Sequence, residues 1–222
     1  MRNSLPFLAA LLFVTPAAHA QNWSVGIGTG PFVFGRFVER TSTVGTEQGT
    51  ATITSRLSAA TRPGVDADLE RDFGRWLGIR LGAAWTYAPL RIKSGSGSTG
   101  ATIDAGHIGV TTFVVPLVVN LNRGAFRFHV MGGPAYALYH GNARAGGGTS
   151  FPIFSGTRGR AGGMAGAGAA WWWSNRFGVE GEVSDTVTAS PFRVEDIAAT
   201  GKGVKILRPQ NVHTTVGIRY RF

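Results

Sequence analysis

From Val212 to Phe222 the chain alternates apolar and polar side chains. Val212, Val216, Ile218, Tyr220 and Phe222 share one face of an extended strand, with Thr214 the exception, while His213, Thr215, Arg219 and Arg221 share the other. The same period of two recurs upstream and predicts eight strands, at about 23–36, 50–70, 76–90, 107–121, 125–139, 161–173, 177–192 and 210–222. Short polar segments at 71–75, 122–124 and 174–176 separate some of these runs as tight turns, and stretches rich in Gly, Ser, Thr and charge at roughly 37–49, 91–106, 140–160 and 193–209 separate the others as long loops. Short turns at one end and long loops at the other predict an all-β fold, an eight-stranded antiparallel up-and-down transmembrane β-barrel with periplasmic turns and four extracellular loops.

Reading each strand at period two assigns its faces. Leu57, Ala59, Val65, Ala67 and Leu69 are expected outward, as are Leu77, Ile79, Leu81, Trp85 and Tyr87, then Phe126, Phe128 and Val130, and finally Phe177, Val179 and Val183. The interior then receives Arg56, Arg62, Arg80, Arg127, Arg219 and Arg221 against Asp66, Asp68, Glu70, Glu180 and Glu182. An eight-stranded barrel is about wide enough for side chains to fill it, so these groups are expected to pair. Glu180 and Glu182 are matched by strand order with Arg219 and Arg221. The aromatic residues support the layout: Trp23, Trp76, Trp171, Trp172 and Trp173, with Phe126, Phe177, Tyr220 and Phe222, fall at the short-turn strand ends, as an interfacial girdle requires. Trp85, Tyr87, Tyr136, Phe32 and Phe34 lie toward the opposite end, where a second girdle is expected.

Composition narrows the class. Thirty-three glycines and only 15% charged residues suit a barrel better than an ordinary soluble domain, and without cysteines the fold relies on its backbone ladder instead of disulfides. Arg2, the apolar run Leu5–Val14 and Ala18–His19–Ala20 read as a secretory signal peptide over 1–20, leaving a barrel domain over 21–222. No later apolar stretch is long enough to span a bilayer as a helix. The formal charge of +10 on an exported chain points to an anionic membrane surface and away from nucleic acid. Arg40, Arg91, Lys93, Arg144, Arg158, Arg160, Arg193, Lys202, Lys205 and Arg208 outnumber Glu39, Glu47, Asp104, Glu195 and Asp196 in the long loops, a bias suited to lipopolysaccharide phosphates.

The signal peptide, the eight runs, Trp76–Leu77–Gly78–Ile79–Arg80–Leu81, Gly132–Gly133–Pro134–Ala135–Tyr136 and the closing Arg219–Tyr220–Arg221–Phe222 resemble the OmpA/OmpX-type small outer-membrane β-barrel family. The resemblance implies an outer-membrane location and makes Tyr220 and Phe222 a signal read by the barrel-assembly machinery. The chain has no peptidoglycan-binding domain after Phe222, so cell-wall anchoring is not among the inherited expectations. Catalytic and metal motifs are absent: none of His107, His129, His140 and His213 sits in a nucleophile motif, and His213–Thr214–Thr215 only superficially approaches the His-x-Ser-Asn stretch of PagL-type deacylases. The expected function is therefore a monomeric, non-enzymatic, cofactor-free barrel with a structural or surface-interaction role. A narrow pore and a lipid-modifying enzyme are the alternatives.

Overall fold

The computed structural model describes residues 23–46, 49–96, 99–143, 154–193 and 203–222. The expected signal peptide and the loop charges Arg144, Glu47, Glu195, Asp196 and Lys202 lie outside these residues. The described chain is all β, with β1 (Trp23–Phe34), β2 (Arg36–Thr46), β3 (Gly49–Ala59), β4 (Arg62–Phe73), β5 (Leu77–Ser96) and β6 (Thr99–Val114) followed by β7 (Leu117–Arg123), β8 (Phe126–Ala143), β9 (Ser155–Trp172), β10 (Phe177–Thr188), β11 (Val204–Ile206) and β12 (Gln210–Arg221).

All pairings are antiparallel. They run β1–β4, β4–β5, β5 to β6 and β7, both of these to β8, then β8–β9, β9–β10, β10–β12 and β12–β1. The described strands thus form a cycle of eight staves, the number expected from the hydrophobic pattern. Twelve segments appear because local breaks divide two expected runs, into β3 and β4 and into β6 and β7, and because β2 and β11 form where loops are expected. Val115–Pro116 divides the run 107–121 into β6 and β7, since Pro116 has no N–H for the ladder, although its carbonyl still accepts from Arg80 N at 3.0 Å.

The chain turns close to the expected places, at 74–76, 124–125 and 173–176, with Gly74 and Gly124 at positive φ, but residues 71–73 and 122–123, expected in turns, complete β4 and β7. The expected loops are corrected. Segment 37–49 is mostly strand, with β2 paired along β3 from Arg36 to Thr46, and 91–106 continues β5 and β6 through paired residues to Ser96 and Thr99. Gly, Ser and Thr content obscured their alternation, but two strands paired with each other satisfy their backbone groups without a hydrophobic face. The short β11 adds to β2 at this long-hairpin end.

The outer wall carries an apolar belt. Ile27, Leu81, Leu117, Val130, Val216 and Ile218 are each more than half exposed. From Leu77 to Tyr87 along β5, this belt covers about 25 Å for a strand tilted by about 40°. Beneath it the interior changes character with height. The short-turn half is charged, whereas the long-hairpin half packs Phe32, Phe34, Phe37, Leu57, Leu90, Ile92, Ile108, Tyr139, Phe154 and Phe192 into an apolar plug. Phe32 and Phe34, expected in an outward girdle, are therefore interior residues. They share parity on β1 with Ser24, Gly26 and Gly28, while Val25, Ile27 and Val33 face out.

Candidate functional site: the interior charge network

Alternation on β4 aims Asp66, Asp68, Glu70 and Asp72 inward, on β5 Arg80, on β8 Arg127 and His129, on β10 Glu180 and Glu182, and on β12 Arg219. Glycines on facing staves make room. A Cβ at Gly26 would crowd the Asp68 carboxylate and the Arg219 guanidinium, and one at Gly168 would press within 2.7 Å of the His129 ring.

Glu70 is the hub. It is 1% exposed and receives Arg80 Nε and Nη2 at 2.9 and 2.6 Å; Arg127 reaches its two oxygens at 3.0 and 3.2 Å, and Arg219 Nη1 approaches at 3.4 Å. Arg219 donates to both Glu180 oxygens at 2.6 and 3.0 Å, to both Asp68 oxygens at 2.8 and 2.9 Å, and to Ser24 Oγ at 3.0 Å. Arg80 also holds Glu182 and lies 3.2 Å from Glu180. His129 Nε2 is 3.3 Å from Glu182, and Asp72 takes Asn120 at 3.0 Å with Arg127 at 3.5 Å. Few residues remain uncommitted in so narrow a space, because each guanidinium fork satisfies several carboxylate oxygens at once.

The network brings together Asp68, Glu70, Arg80, Arg127, Glu180, Glu182 and Arg219, all expected from the sequence, together with His129, which shares the inward face of Arg127, and adds Asp72 and Asn120. It omits four expected members. Arg56 is exposed and pairs with Glu39 at 3.0 Å on the β2–β3 hairpin, where that hydrogen bond holds the Glu39 carboxyl below its usual range. Arg62 is likewise exposed. For Arg56 the cause is the break at Ala60–Thr61, which shifts the alternation, so that Leu57 and Ala59 point in on β3 although the residues of the same parity on β4 point out; Arg62, the first residue of β4, is exposed although it shares parity with Asp66 and Glu70. Arg221 reaches the mouth instead, its guanidinium 4.0 Å from the Trp172 ring centre, so the expected Glu182–Arg221 pairing gives way to Glu182–Arg80. Asp66 faces in but forms no ion pair among the described residues. The near-balance expected from the sequence is thus replaced by six carboxylates against three buried guanidiniums, with Arg221 at the mouth.

At the short-turn end, a vestibule of about 530 Å³ is lined by Asp72, Asn120, Asn122, Trp172 and Arg221. Trp172 points into it, a correction to its expected place in the outward ring. The rest of that ring is continuous over one arc: Trp171–Trp173, Trp173–Phe177, Phe177–Tyr220 and Tyr220–Phe222 have ring centres 5.0–6.3 Å apart. Trp23 and Trp76 lie under Arg71 and Arg75 at 5.3 and 5.7 Å. Among the other histidines, His107 stacks on Tyr87, His140 contacts Thr157 Oγ1 at 2.9 Å, and His213 packs on Phe32. At the long-hairpin end, Arg158 and Arg160 donate to the carbonyls of Pro191 and Ser190.

No family model and no curated protein sequence matches the chain. Solved structures do. The outer membrane protein OprG from Pseudomonas aeruginosa aligns over 92% of this chain and 97% of its own, at 13% identity and a TM-score of 0.58. The outer membrane protease OmpT from Escherichia coli aligns over 94% and 99%, at 14% identity and a TM-score of 0.47. Ail of Yersinia pestis aligns over 90% and 99%, at 12% and 0.43. The similarity to OprG is one of fold, and it extends over nearly the whole of both chains.

Proposed function

We propose that the protein is an integral outer-membrane β-barrel whose interior is sealed and whose work is structural or done by its surface-exposed hairpins. The observation that carries this reading is the pairing of an apolar outer belt with a charged inner wall. An outward face of Ile27, Leu81, Leu117, Val130, Val216 and Ile218 is stable in lipid and unfavourable in water. Sealing is supported twice over: the Glu70-centred network fills the short-turn half, and the aromatic plug fills the other.

In this orientation the short turns face the periplasm, and Tyr220 and Phe222 complete an interfacial ring and serve the barrel-assembly machinery as a folding signal. Arg56, Arg91 and Lys93 project outward above the belt, where phosphates of lipopolysaccharide lie within reach. The protein acts as a monomer, without catalysis. The test is outer-membrane fractionation with heat-modifiable gel migration, followed by planar-bilayer recording. The expected result is a folded form in the outer membrane that passes no steady current. Failure to fractionate there would refute the location, and unitary conductance in wild type that changes in Glu180→Gln/Glu182→Gln would refute the sealed interior in favour of a narrow pore.

A further inference from the structure

The short-turn end carries a second set of arginines that the interior network does not use. Arg71 closes the outward row of β4, in parity with Val65 and Leu69, and Arg75 stands in the turn that follows. Arg123 closes the outward row of β7 after Leu117 and Leu121, and Arg176 lies in the turn before β10. All four are exposed, and none forms an ion pair among the described residues. The rim offers one side-chain carboxylate among the described residues, Asp72, and it turns inward to Asn120 and Arg127. The outer rim is therefore cationic without a counter-charge of its own.

The position of the guanidiniums decides what they meet. Arg71 lies over two outward rings, 5.3 Å from the centre of Trp23 and 5.4 Å from that of Phe73, and Arg75 lies over Trp76 at 5.7 Å. Arg123 pairs across its turn with Phe126, another outward ring. Trp23 and Trp76 belong to the girdle that marks the level of lipid headgroups, and a guanidinium stacked on a ring keeps its N–H edge free to donate. Groups aimed sideways at that level meet lipid before anything dissolved in the periplasm. A phosphodiester presents paired oxygens that match the guanidinium fork, and an anion between like charges relieves their repulsion.

We propose that the short-turn rim binds anionic phospholipid headgroups, with Arg71 and Arg75, each backed by its aromatic rings, holding the phosphate. This rests on the membrane placement and orientation proposed above, which put the rim at the inner leaflet. The two ends of the barrel then take different lipids: phospholipid at the turns, lipopolysaccharide at the hairpins.

The experiment is quenching of tryptophan fluorescence by brominated lipid. Five of the six tryptophans stand at the short-turn end, so the signal reads this rim. Barrels are folded into phosphatidylcholine vesicles with and without phosphatidylglycerol, and in the mixed vesicles bromine is carried on the acyl chains of one lipid or the other. An arginine at an anionic surface gives about a fivefold preference at its own site, and averaged over the lipids that touch the tryptophans about a twofold preference for phosphatidylglycerol is expected. Arg71→Gln/Arg75→Gln is expected to abolish that preference, and Arg56→Gln/Lys93→Gln, at the opposite end, to leave it unchanged. Each variant is first shown to be folded by heat-modifiable migration; if the first fails, Arg75→Gln alone, in a turn outside the ladder, is expected to remove about half of the preference. Insertion of the parent protein with no preference overturns this proposal alone. So does a preference lost in Arg56→Gln/Lys93→Gln but kept in Arg71→Gln/Arg75→Gln. Failure to insert into vesicles of either composition overturns the membrane reading itself, and the proposal with it.

Discussion

Replacing Arg219 by Met tests the interior most directly. The side chain keeps its length and apolar stem but loses the guanidinium that bonds Glu180, Asp68 and Ser24 at 2.6–3.0 Å, at a position 1% exposed. Removing one partner of a buried ion pair leaves the other uncompensated and costs about 3–5 kcal/mol. Here Arg219 serves two carboxylates directly and approaches a third, Glu70, in an interior that already carries more carboxylates than guanidiniums. The upper end of that range is expected, which shifts the unfolding equilibrium by about three to four decades. The converse substitution, Asp66→Asn, removes a negative charge that no arginine holds among the described residues, and it should be neutral or slightly stabilising. Both are measured by guanidinium-induced unfolding of barrels in lipid vesicles, followed by tryptophan fluorescence, with reversibility checked in each. Equal losses in the two variants, or a larger one in Asp66→Asn, would refute the charge-surplus reasoning.

Further perturbations probe other levels of the fold. Val216→Arg, about 10 Å above the Tyr220 ring for a tilted strand, should cost about 2–4 kcal/mol, whereas Ile103→Arg, on the hairpin beyond the belt, should cost nearly nothing; equal costs in vesicle unfolding would argue against the assigned membrane position. Gly30→Val should abolish the heat-modifiable form, because even a Cβ at Gly30 collides with the Thr214 carbonyl oxygen across the β1–β12 seam; a normally folded variant would contradict that approach of the two strands. Glu39→Gln breaks the exposed pairs with Arg36 and Arg56 and should leave the unfolding midpoint unchanged at physiological salt; a clear drop would show the hairpin to be more tightly coupled to the barrel than its exposure implies.

The legibility of the interior differed from strand to strand. On β5, β8, β10 and β12, unbroken alternation placed Arg80, Arg127, Glu180 and Arg219 correctly before any contact was known. On the run containing β3 and β4, the same rule fails for Arg56, because one irregular step at Ala60–Thr61 reverses parity between the two strands, and for Arg62, which keeps the inward parity of β4 but stands exposed at its first residue. Phe32 and Phe34 were misplaced for a different reason. Residue type places aromatic side chains near strand ends in a girdle, whereas the parity that Phe32 and Phe34 share with Gly26 and Gly28 points them inward. Asp72, which accepts Asn120 and Arg127, lay within a segment read as a turn, so alternation was not extended to it.

The amino-acid sequence by itself determined the all-β class, the number of staves, the positions of the short turns and the separation of an apolar from a polar face. These follow from local physics: a period of two, turn chemistry and the requirement that every backbone polar group be paired. Only the tertiary structure decided who pairs with whom. Glu70 collects three arginines from three different strands, Asp66 is left without one, and the interior divides into a charged half and an aromatic half. That outcome depends on strand order, stagger and the single breaks that reset parity, quantities set by closure of the whole sheet and invisible in any one segment.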